Sequence, residues 1–305
     1  LTSRHQVLSV AFLDNVLPPG KAGGLFSGIR NLDKHLKIFS EIRASTSNKT
    51  IGEMRSAGMT DVQVGIEALS SRLLEKMNKG VSAIQNLEIM KNCEAVGIKN
   101  RANLILHFPG SDETDVAETL STMEYAMGFQ PLKPVRFWLG LESPVWRAYK
   151  AFQIKSVQNH PNYRILFPEE ISTSCRFIVQ AYRGDRLRQK KIWKPVVRKI
   201  QRWEKQYAAL HSEPLCGPVI GYRDGKSFLM IHHRQYRSET IQHRLTGTSR
   251  KIYLFCQKPR TIKRILSAFP EINEDRLTPF LRMMASKYLM FEDGGKYLSL
   301  AVPLR

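Results

Sequence analysis

The sequence predicts an α/β protein: a partial (β/α) TIM-like barrel, then a basic helical segment, then a small winged-helix-like α+β domain. Short strand-like apolar runs begin near Val7, Leu36, Val62, Arg101 and Val135, at intervals of 26 to 39 residues. This is the spacing of β/α units in a parallel sheet. Toward the end of the chain, two predicted hairpins enclose three short helical stretches, as in a winged-helix-like module.

Changes in composition divide the chain into three predicted parts. Residues 1–140 form the partial barrel, residues 141–215 an irregular and basic helical connector, and residues 216–305 the winged-helix-like domain. The chain has 305 residues and 42% apolar content, which is enough for one large domain and one small one. Because strand-like sequence follows almost directly after a first residue that is not Met, we expect further sequence upstream of Leu1.

Helix-start signals lie between the predicted barrel strands. Polar capping residues precede each apolar-periodic run, and each of these helices ends at a Gly. The predicted caps are Asn48 or Thr50 before "IGEMRSAG", Ser70 or Ser71 before "RLLEKMNKG", the capping box Ser82-x-x-Gln85, and Ser111 with Asp112 and Glu113 before "VAETL".

Residues 168–211 are predicted to be helical and are strongly basic. Trp193 and Trp203 interrupt the basic residues, which is compatible with a nucleic-acid surface. The same pattern is produced by helices whose apolar stripe faces the barrel while their lysines face water, and we favour that reading.

The chain carries 47 Lys and Arg against 27 Asp and Glu, a formal charge of +20. This charge favours an acidic partner but does not name one. The four cysteines, at positions 93, 175, 216 and 256, are too far apart in sequence for a local metal motif and are expected to be reduced structural thiols. The sequence contains no membrane-spanning run and no signal-peptide pattern at its start, so we expect a cytoplasmic protein.

Polar residues lie where the predicted barrel strands end. The first strand ends in Asp14-Asn15, the second contains Glu41, and the third ends in Glu67 with Arg72 shortly after it. Carboxylates accept hydrogen bonds from ribose hydroxyls or an ammonium group, and an Arg can bind a carboxylate with two hydrogen bonds. The set therefore suits a zwitterionic nucleoside such as S-adenosylmethionine. An adenine ring could rest on the tight turn Phe108-Pro109-Gly110.

The stretch from Asp61 to Gly110 also resembles a known family. Its segments "GIEALSSRLLEKMNKG", "IQNLEIMKNCEAVGI" and "NLILHFPG" are similar, in order and spacing, to the barrel of cobalamin-dependent radical S-adenosylmethionine enzymes. The resemblance is greatest to those that mature ribosomally made peptides (RiPPs). It extends more weakly through "LESPVW" and "HPNYRILFP" to "KYLSLAVP".

This resemblance implies a reaction that a four-iron four-sulfur (4Fe-4S) cluster begins by cleaving S-adenosylmethionine to a deoxyadenosyl radical, after which methylcobalamin supplies a methyl group. The family's S-adenosylmethionine contacts fall on Glu41, Glu67 and Arg72, with Asp14, Asn15 and Asn103 as further candidates. No catalytic residue is assigned. The implied partners are a precursor peptide and a reductant such as flavodoxin or ferredoxin; a membrane or nucleic acid is not expected.

The chain departs from the family pattern in two ways. It has neither the cluster motif Cys-x3-Cys-x2-Cys nor a cobalamin-binding domain, so we expect both upstream of Leu1 and expect this chain alone to be inactive. The family turn Gly-Phe-Pro-Gly-Glu is His-Phe-Pro-Gly-Ser here, from His107 to Ser111. Two alternatives to a peptide-maturation enzyme are also open: a nucleic-acid-binding or RNA-modifying relative, and a degenerate barrel that catalyses no reaction.

In the last domain, the hairpin "GYRDGKSFLMIHH" is predicted to offer an exposed strand edge at "SFLMIHHR". An acidic leader peptide could add a strand there, attracted by His232, His233, Arg234 and Arg237. The alternative is that this domain only packs against the barrel.

Overall fold

The fold of the first part is a parallel sheet covered by helices on one face. The structure is a computed structural model that describes residues 2–12, 22–32, 34–212 and 217–304. The elements of the first part are α1 (Thr2–His5), β1 (Ser9–Ala11), α2 (Ala22–Arg30), β2 (Lys37–Ile42), α3 (Asn48–Ser56), β3 (Met59–Val64), α4 (Ser71–Lys76), α5 (Ala83–Val96), β4 (Lys99–Asn100), β5 (Asn103–Leu106), α6 (Glu113–Ala126) and β6 (Lys133–Arg136).

Parallel pairing runs through all of these strands. The order β1-β2-β3-β4 forms one ladder, and β5 pairs with β6 in a second. A parallel bridge between Glu67 and Leu104 joins the two ladders. The five predicted strands are therefore present as a partial barrel, although the third begins at Met59 rather than Val62.

The predicted helix caps agree with the structure to within one residue. Ser70 caps α4, and its hydroxyl accepts from the Leu73 amide at 3.1 Å. The capping box of Ser82 and Gln85 is present at α5. At α3 the cap is Ser47, one position before the predicted Asn48, because the Ser47 hydroxyl accepts from a backbone amide of the first turn. Asp112 caps α6.

The middle part contains a small antiparallel sheet that sequence reasoning missed. Its elements are β7 (Leu139–Gly140), α7 (Pro144–Arg147), a 3₁₀ helix (Tyr149–Phe152), β8 (Ser156–Asn159), α8 (Tyr163–Leu166), α9 (Glu169–Ser174), β9 (Val179–Arg183), α10 (Arg186–Ile192) and α11 (Lys194–Leu210). The prediction of continuous helix over residues 168–211 is wrong at β9. This short strand pairs with both β7 and β8, and a helix-forming tendency cannot reveal such distant partners.

The basic helix α11 packs on the barrel through its tryptophans. Trp193 and Trp203 are both 0% exposed, and the Trp203 indole donates to the Phe129 carbonyl at 3.1 Å. Lys199 donates to the Leu120 carbonyl of α6 at 2.8 Å. The solvated-face reading of this segment is confirmed, and the tryptophans offer no surface to nucleic-acid bases.

The last part combines a four-stranded sheet with a helical module. Its elements are β10 (Ile220–Asp224), β11 (Phe228–His233), β12 (Ile241–Thr246), α12 (Gly247–Phe255), β13 (Arg260–Thr261), α13 (Ile262–Ala268), α14 (Glu274–Ser286), β14 (Met290–Asp293), β15 (Lys296–Ser299) and β16 (Val302–Pro303). The helical module has the order α12, β13, α13, α14, β14, β15, and its three strands have the sheet order β13-β15-β14.

The predicted free edge of the first hairpin is wrong. The sheet order is β12-β11-β10-β16, so β11, which contains "SFLMIHHR" up to His233, is paired on both sides. The charged sequence "IQHRLT" of β12 gave no clear strand signal, but it pairs with β11 over six residues. A peptide cannot add to β11 without displacing β12.

The last part packs against α5 of the barrel. Asp293 accepts hydrogen bonds from the Ser71 hydroxyl at 2.8 Å and the Ile84 amide at 3.2 Å. Lys91 of α5 reaches the carbonyls of Gln257 and Ser299. These contacts show that the last part packs against the barrel; whether it also binds a peptide stays a prediction.

Among the described residues, no helix combines the length and the apolar character that a membrane span requires.

Candidate functional site

The candidate site is the face of the parallel sheet that the helices leave uncovered. Along β2 and β3 the burial alternates, so that residues such as Ile42 and Val64 lie under the helices while Glu41 and Gln63 stay partly exposed. Glu41 and Gln63 are direct neighbours in the ladder register. Side chains at neighbouring register positions point to the same face of a sheet. A carboxylate and an amide therefore stand side by side on the open face.

Glu67 lies at the irregular end of β3. Its backbone has φ 64°, in the left-handed region, which is costly for a residue other than Gly. The Glu67 amide donates to the Asn103 carbonyl at 3.2 Å, and the Glu67 carbonyl accepts from the Ile105 amide at 2.8 Å. These two bonds hold the unusual conformation and fix where the side chain starts. Such backbone outliers often occur at ligand sites.

The Glu67 carboxylate is partly exposed and lies near the cation of Lys79. Lys79 Nζ lies 3.5 Å from Glu67 Oε1, and the Glu67 side chain is 23% exposed. Asn103, whose carbonyl binds the Glu67 amide, is also partly exposed on β5. Of the predicted residues, Glu41 thus lies on β2 and Asn103 on β5, and Glu67 lies after β3 at the bridge that joins the two ladders.

Arg72 is engaged in an ion-pair network at the start of α6. It donates to both oxygens of Asp112, at 2.9 and 2.6 Å. Lys76 adds contacts to Asp112 at 3.1 Å and to the buried Asp115 at 2.5 Å. A ligand carboxylate would have to compete with Asp112 for Arg72, so the predicted cofactor contact has no support from this geometry.

The turn after β5 is mostly buried. Phe108 is 2% exposed and lies edge-on to Phe137 and Phe152, with ring centroids 5.1 and 5.7 Å away. Pro109 is buried as well, and Gly110, with φ 77°, is the partly exposed member of the turn. Phe108 and Pro109 therefore present no open ring face to an adenine. The predicted residues Asp14 and Asn15 lie outside the described residues.

Sequence reasoning missed a group of cations beyond the ends of β5 and β6. His107 and Arg136 line an open cavity together with Arg186 and Lys190 of α10. Arg136 is the second residue of the strand-like run "VRFWL" and the last residue of β6, and a single polar residue within an apolar run gives no local sign of a binding site. Arg186 and Lys190 belong to a different element, and nothing in their own sequence signals that α10 packs near these strand ends.

The thiols in the described residues do not fit a 4Fe-4S cluster. Those residues contain no group of three or more His, Cys, Asp or Glu side chains placed to hold a metal ion. Cys93 and Cys256 are buried, and burial raises the pKa of each thiol to about 12, whereas a cluster needs thiolates. The described residues also present no donor set that selects cobalamin. The open sheet face, by contrast, fits the donor pattern of S-adenosylmethionine.

Comparison with known proteins gives a family for part of the chain. Residues 22–123 match the Radical SAM superfamily. An uncharacterized methyltransferase from Pyrococcus horikoshii is 26% identical over 119 residues, which are 38% of this chain and 26% of that relative. The match thus spans about a quarter of the relative's length.

Solved structures give weaker similarities. The radical S-adenosylmethionine methyltransferase TsrM from Kitasatospora setae has a TM-score of 0.48 at 16% identity, over 66% of this chain and 44% of TsrM. Coproporphyrinogen III oxidase (HemN) from Escherichia coli has a TM-score of 0.41 at 10% identity, over 93% of this chain and 71% of HemN. Both TM-scores are below 0.5. Residues 22–123 are thus similar to the Radical SAM superfamily, and this match covers less than half of the chain.

Proposed function

We propose that this chain forms the S-adenosylmethionine-binding part of a radical SAM enzyme that methylates a carbon atom of a ribosomally made peptide with the help of cobalamin. The match of residues 22–123 to the Radical SAM superfamily is the observation that carries the proposal. The description of the Pyrococcus horikoshii relative as a methyltransferase supports methyl transfer. The resemblance of residues 61–110 to peptide-maturation enzymes supports the peptide substrate. The precursor peptide, the flavodoxin or ferredoxin reductant and the cytoplasmic location remain predictions.

The open sheet face supplies the groups that would hold the cofactor. The carboxylates of Glu41 and Glu67 would accept hydrogen bonds from its ribose hydroxyls and ammonium, and Gln63 can both donate and accept. The backbone bonds between Glu67 and β5 limit the movement of that carboxylate and so pre-organise it. Bound S-adenosylmethionine would supply the methyl and deoxyadenosyl groups that such enzymes use.

The nucleic-acid alternative loses one possible contact surface. That alternative rests on the net charge and on the winged-helix-like module; what it loses is a stacking surface on the basic segment, because Trp193 and Trp203 are both fully buried. The net charge of +20 alone does not distinguish a nucleic acid from another anion.

Cofactor binding is tested by isothermal titration of S-adenosylmethionine into the wild-type chain and the variants Glu41→Gln and Glu67→Gln. Each variant removes a charge-assisted hydrogen bond, so we expect an affinity loss of about 10- to 100-fold. The control is Glu204→Gln, because Glu204 is exposed on α11 and far along the chain from the sheet. Equal affinity in both sheet variants and the control, with normal circular dichroism, would refute the assignment of this face.

Methyl transfer is tested separately with the protein purified anaerobically from its native cells. Incubation with isotopically methyl-labelled S-adenosylmethionine, cobalamin and the precursor peptide encoded nearby should place the label on a peptide carbon, as read by mass spectrometry. Label on a nucleic acid instead would favour the RNA-modifying alternative. Cofactor binding without any transfer of label to peptide or nucleic acid would favour a barrel that has lost its chemistry.

A further inference from the structure

A cavity of roughly 810 Å³ opens between the ends of β5 and β6 and the elements β9 and α10. This volume is within the usual range for a site that takes a small organic molecule. The wall from the barrel includes His107, Arg136 and Trp138, and the opposite wall includes Tyr182, Arg186 and Lys190. The cavity therefore lies beside the proposed cofactor face but is built largely from different residues.

The charged side chains of the cavity are all cations. Arg136, Arg186 and Lys190 line it, and no Asp or Glu does so among the described residues. None of the three forms an ion pair with a described carboxylate. Asp185, which precedes Arg186, accepts instead from the Gln189 amide at 2.6 Å. Three cations line one opening that no described carboxylate shares. The electrostatic potential there is therefore positive and favours an anionic ligand.

His107 shows the electrostatic effect of these cations. It follows β5 directly, and its backbone has φ 61°, in the left-handed region that is strained for a residue other than Gly. Burial lowers the pKa of His107, and the positive charges of Arg136, Lys190 and Arg186 lower it further. The imidazole is therefore held neutral near pH 7, where it can donate or accept a hydrogen bond.

The remaining cavity wall is mostly apolar and aromatic, with His160, Asn162 and Gln180 as its uncharged polar members. Phe137 lies between Phe108 and Tyr182, with ring centroids 5.1 and 6.2 Å away. At the rim, Trp138 is 73% exposed and Leu187 is 86% exposed. Exposed large apolar side chains grouped at the mouth of a cavity indicate a binding surface rather than a solvated one.

We propose that this cavity binds an organic anion with a ring-containing apolar body. The ring system lies against Trp138 and Tyr182, and the carboxylate or phosphate group is held by Arg136, Arg186 and Lys190. This assignment does not depend on the proposed methyl transfer, because none of these residues belongs to the cofactor face.

The test compares two fluorescent probes that share an aromatic body and differ in charge: anilinonaphthalene sulfonate, an anion, and the neutral N-phenylnaphthylamine. The cavity variant is the double substitution Arg186→Gln with Lys190→Gln. Both residues are exposed, so neutralising them should leave the fold intact. The matched control is Arg202→Gln with Lys205→Gln, which removes the same two charge types from the exposed face of α11.

In the wild type we expect the anionic probe to bind about tenfold more tightly than the neutral one. The cavity variant should lose that preference, while the control keeps it. Arg136→Gln should weaken the anionic probe in the same direction. Equal binding of both probes to the wild type, or equal losses in the cavity variant and the control, would overturn the proposal.

Competition with naphthalene carboxylate and naphthyl phosphate then identifies which anionic group the cations prefer. Displacement of the anionic probe by one of them supports the proposal and names the head group. Displacement by neither, at concentrations about tenfold above the probe, would overturn it. Because S-adenosylmethionine is absent throughout, failure here would leave the cofactor assignment standing, and failure of the Glu67 test would leave this one standing.

Discussion

Arg72 donates hydrogen bonds to both carboxylate oxygens of Asp112, at 2.9 and 2.6 Å, and thereby joins the first turn of α4 to the N-cap of α6. Asp112 also accepts from the amides of Thr114 and Asp115 at the start of α6. A negative charge at this end of a helix is favourable because the helix dipole is positive there. The contact makes Arg72 a structural tie between two β/α units.

This network predicts a specific acid sensitivity. Burial alone would raise the pKa of Asp112, but hydrogen bonds from the Asp115 amide, Lys76 and Arg72 hold it well below its usual range. The unfolded chain therefore binds a proton on Asp112 that the folded chain does not bind. The free energy of unfolding should fall as the pH drops from about 5 toward 2, and Asp112→Asn should remove that part of the loss.

The measurement is urea denaturation of wild type and variant at a series of pH values in this window. Asp275→Asn is the matched control, because Asp275 is an exposed residue in the first turn of another helix, α14. If the unfolding free energy of Asp112→Asn fell with decreasing pH as steeply as that of the wild type, protonation of Asp112 would not be a cause of the acid sensitivity.

Trp203 should be important for stability. Its side chain is fully buried and its indole nitrogen bonds the Phe129 carbonyl. Trp203→Ala should lower the free energy of unfolding by about 3–5 kcal/mol, as loss of a buried aromatic side chain does. Trp203→Phe should cost about 1–3 kcal/mol, because it leaves the Phe129 carbonyl without its partner.

Chemical denaturation followed by circular dichroism gives both values. Trp138→Ala, at a position 73% exposed, should change stability by about 0.5 kcal/mol or less. If Trp203→Phe were as stable as wild type but lost affinity for RNA, the rejected nucleic-acid surface would have to be reconsidered.

The strands and caps of the barrel could be predicted because their signals are local. The Ser82–Gln85 capping box and the alternating run ending at Glu67 each lie within one element. Strand β9 could not be predicted, because it forms by pairing with β7 and β8, and no local pattern identifies those partners. Strand β12 is as long as β2 and β3 and pairs with a predicted strand, but only two of its six residues, "IQHRLT", are apolar, so it gives no strand signal. The same limit applies to the cationic cavity.

The cavity cations come from separate elements: Arg136 is the last residue of β6, and Arg186 lies on α10. Their proximity depends on how α10 packs, which no local pattern encodes. The candidate cofactor face was more accessible to prediction, since parallel strands bring Glu41 and Glu67 to one sheet by repetition alone. The partner of Arg72 could not be predicted, because the sequence around Asp112 signals only a helix cap, and Arg72 lies 40 residues away along the chain.

Lys91 should make stability depend on pH near neutrality. It is fully buried between α5 and the last domain, where it donates to the Gln257 and Ser299 carbonyls. Burial lowers the pKa of Lys91 to about 7, partly opposed by Glu88. Above this value the folded chain has released a proton that the unfolded chain still binds. The free energy of unfolding should therefore rise with pH above about 7, by up to about 1.4 kcal/mol per pH unit for this group.

The comparison is with Lys91→Met, which keeps an unbranched apolar side chain and removes the titration. The difference in unfolding free energy between wild type and variant should increase from about pH 7 to 9. The buried thiols and tyrosines are common to both proteins, so their own titration cancels. A constant difference would mean that the carbonyl acceptors keep the ammonium charged across this range.

Two substitutions of Glu67 can separate the free-energy cost of its left-handed backbone from the role of its carboxylate. At φ 64° a side chain with a Cβ atom is strained by roughly 1–2 kcal/mol, whereas Gly adopts this region freely. Glu67→Gly should therefore be more stable than Glu67→Ala by about 1 kcal/mol, although Gly is the less favourable residue at most other positions. Both variants lose the carboxylate and the contact to Lys79 equally, so this difference reports the backbone alone. Thermal denaturation supplies the stability order, and titration with S-adenosylmethionine should show the same loss of affinity in both. A more stable Glu67→Ala variant would refute the claim that the backbone at Glu67 is strained. Loss of affinity in only one of the two variants would mean that the cofactor requires the backbone conformation rather than the carboxylate.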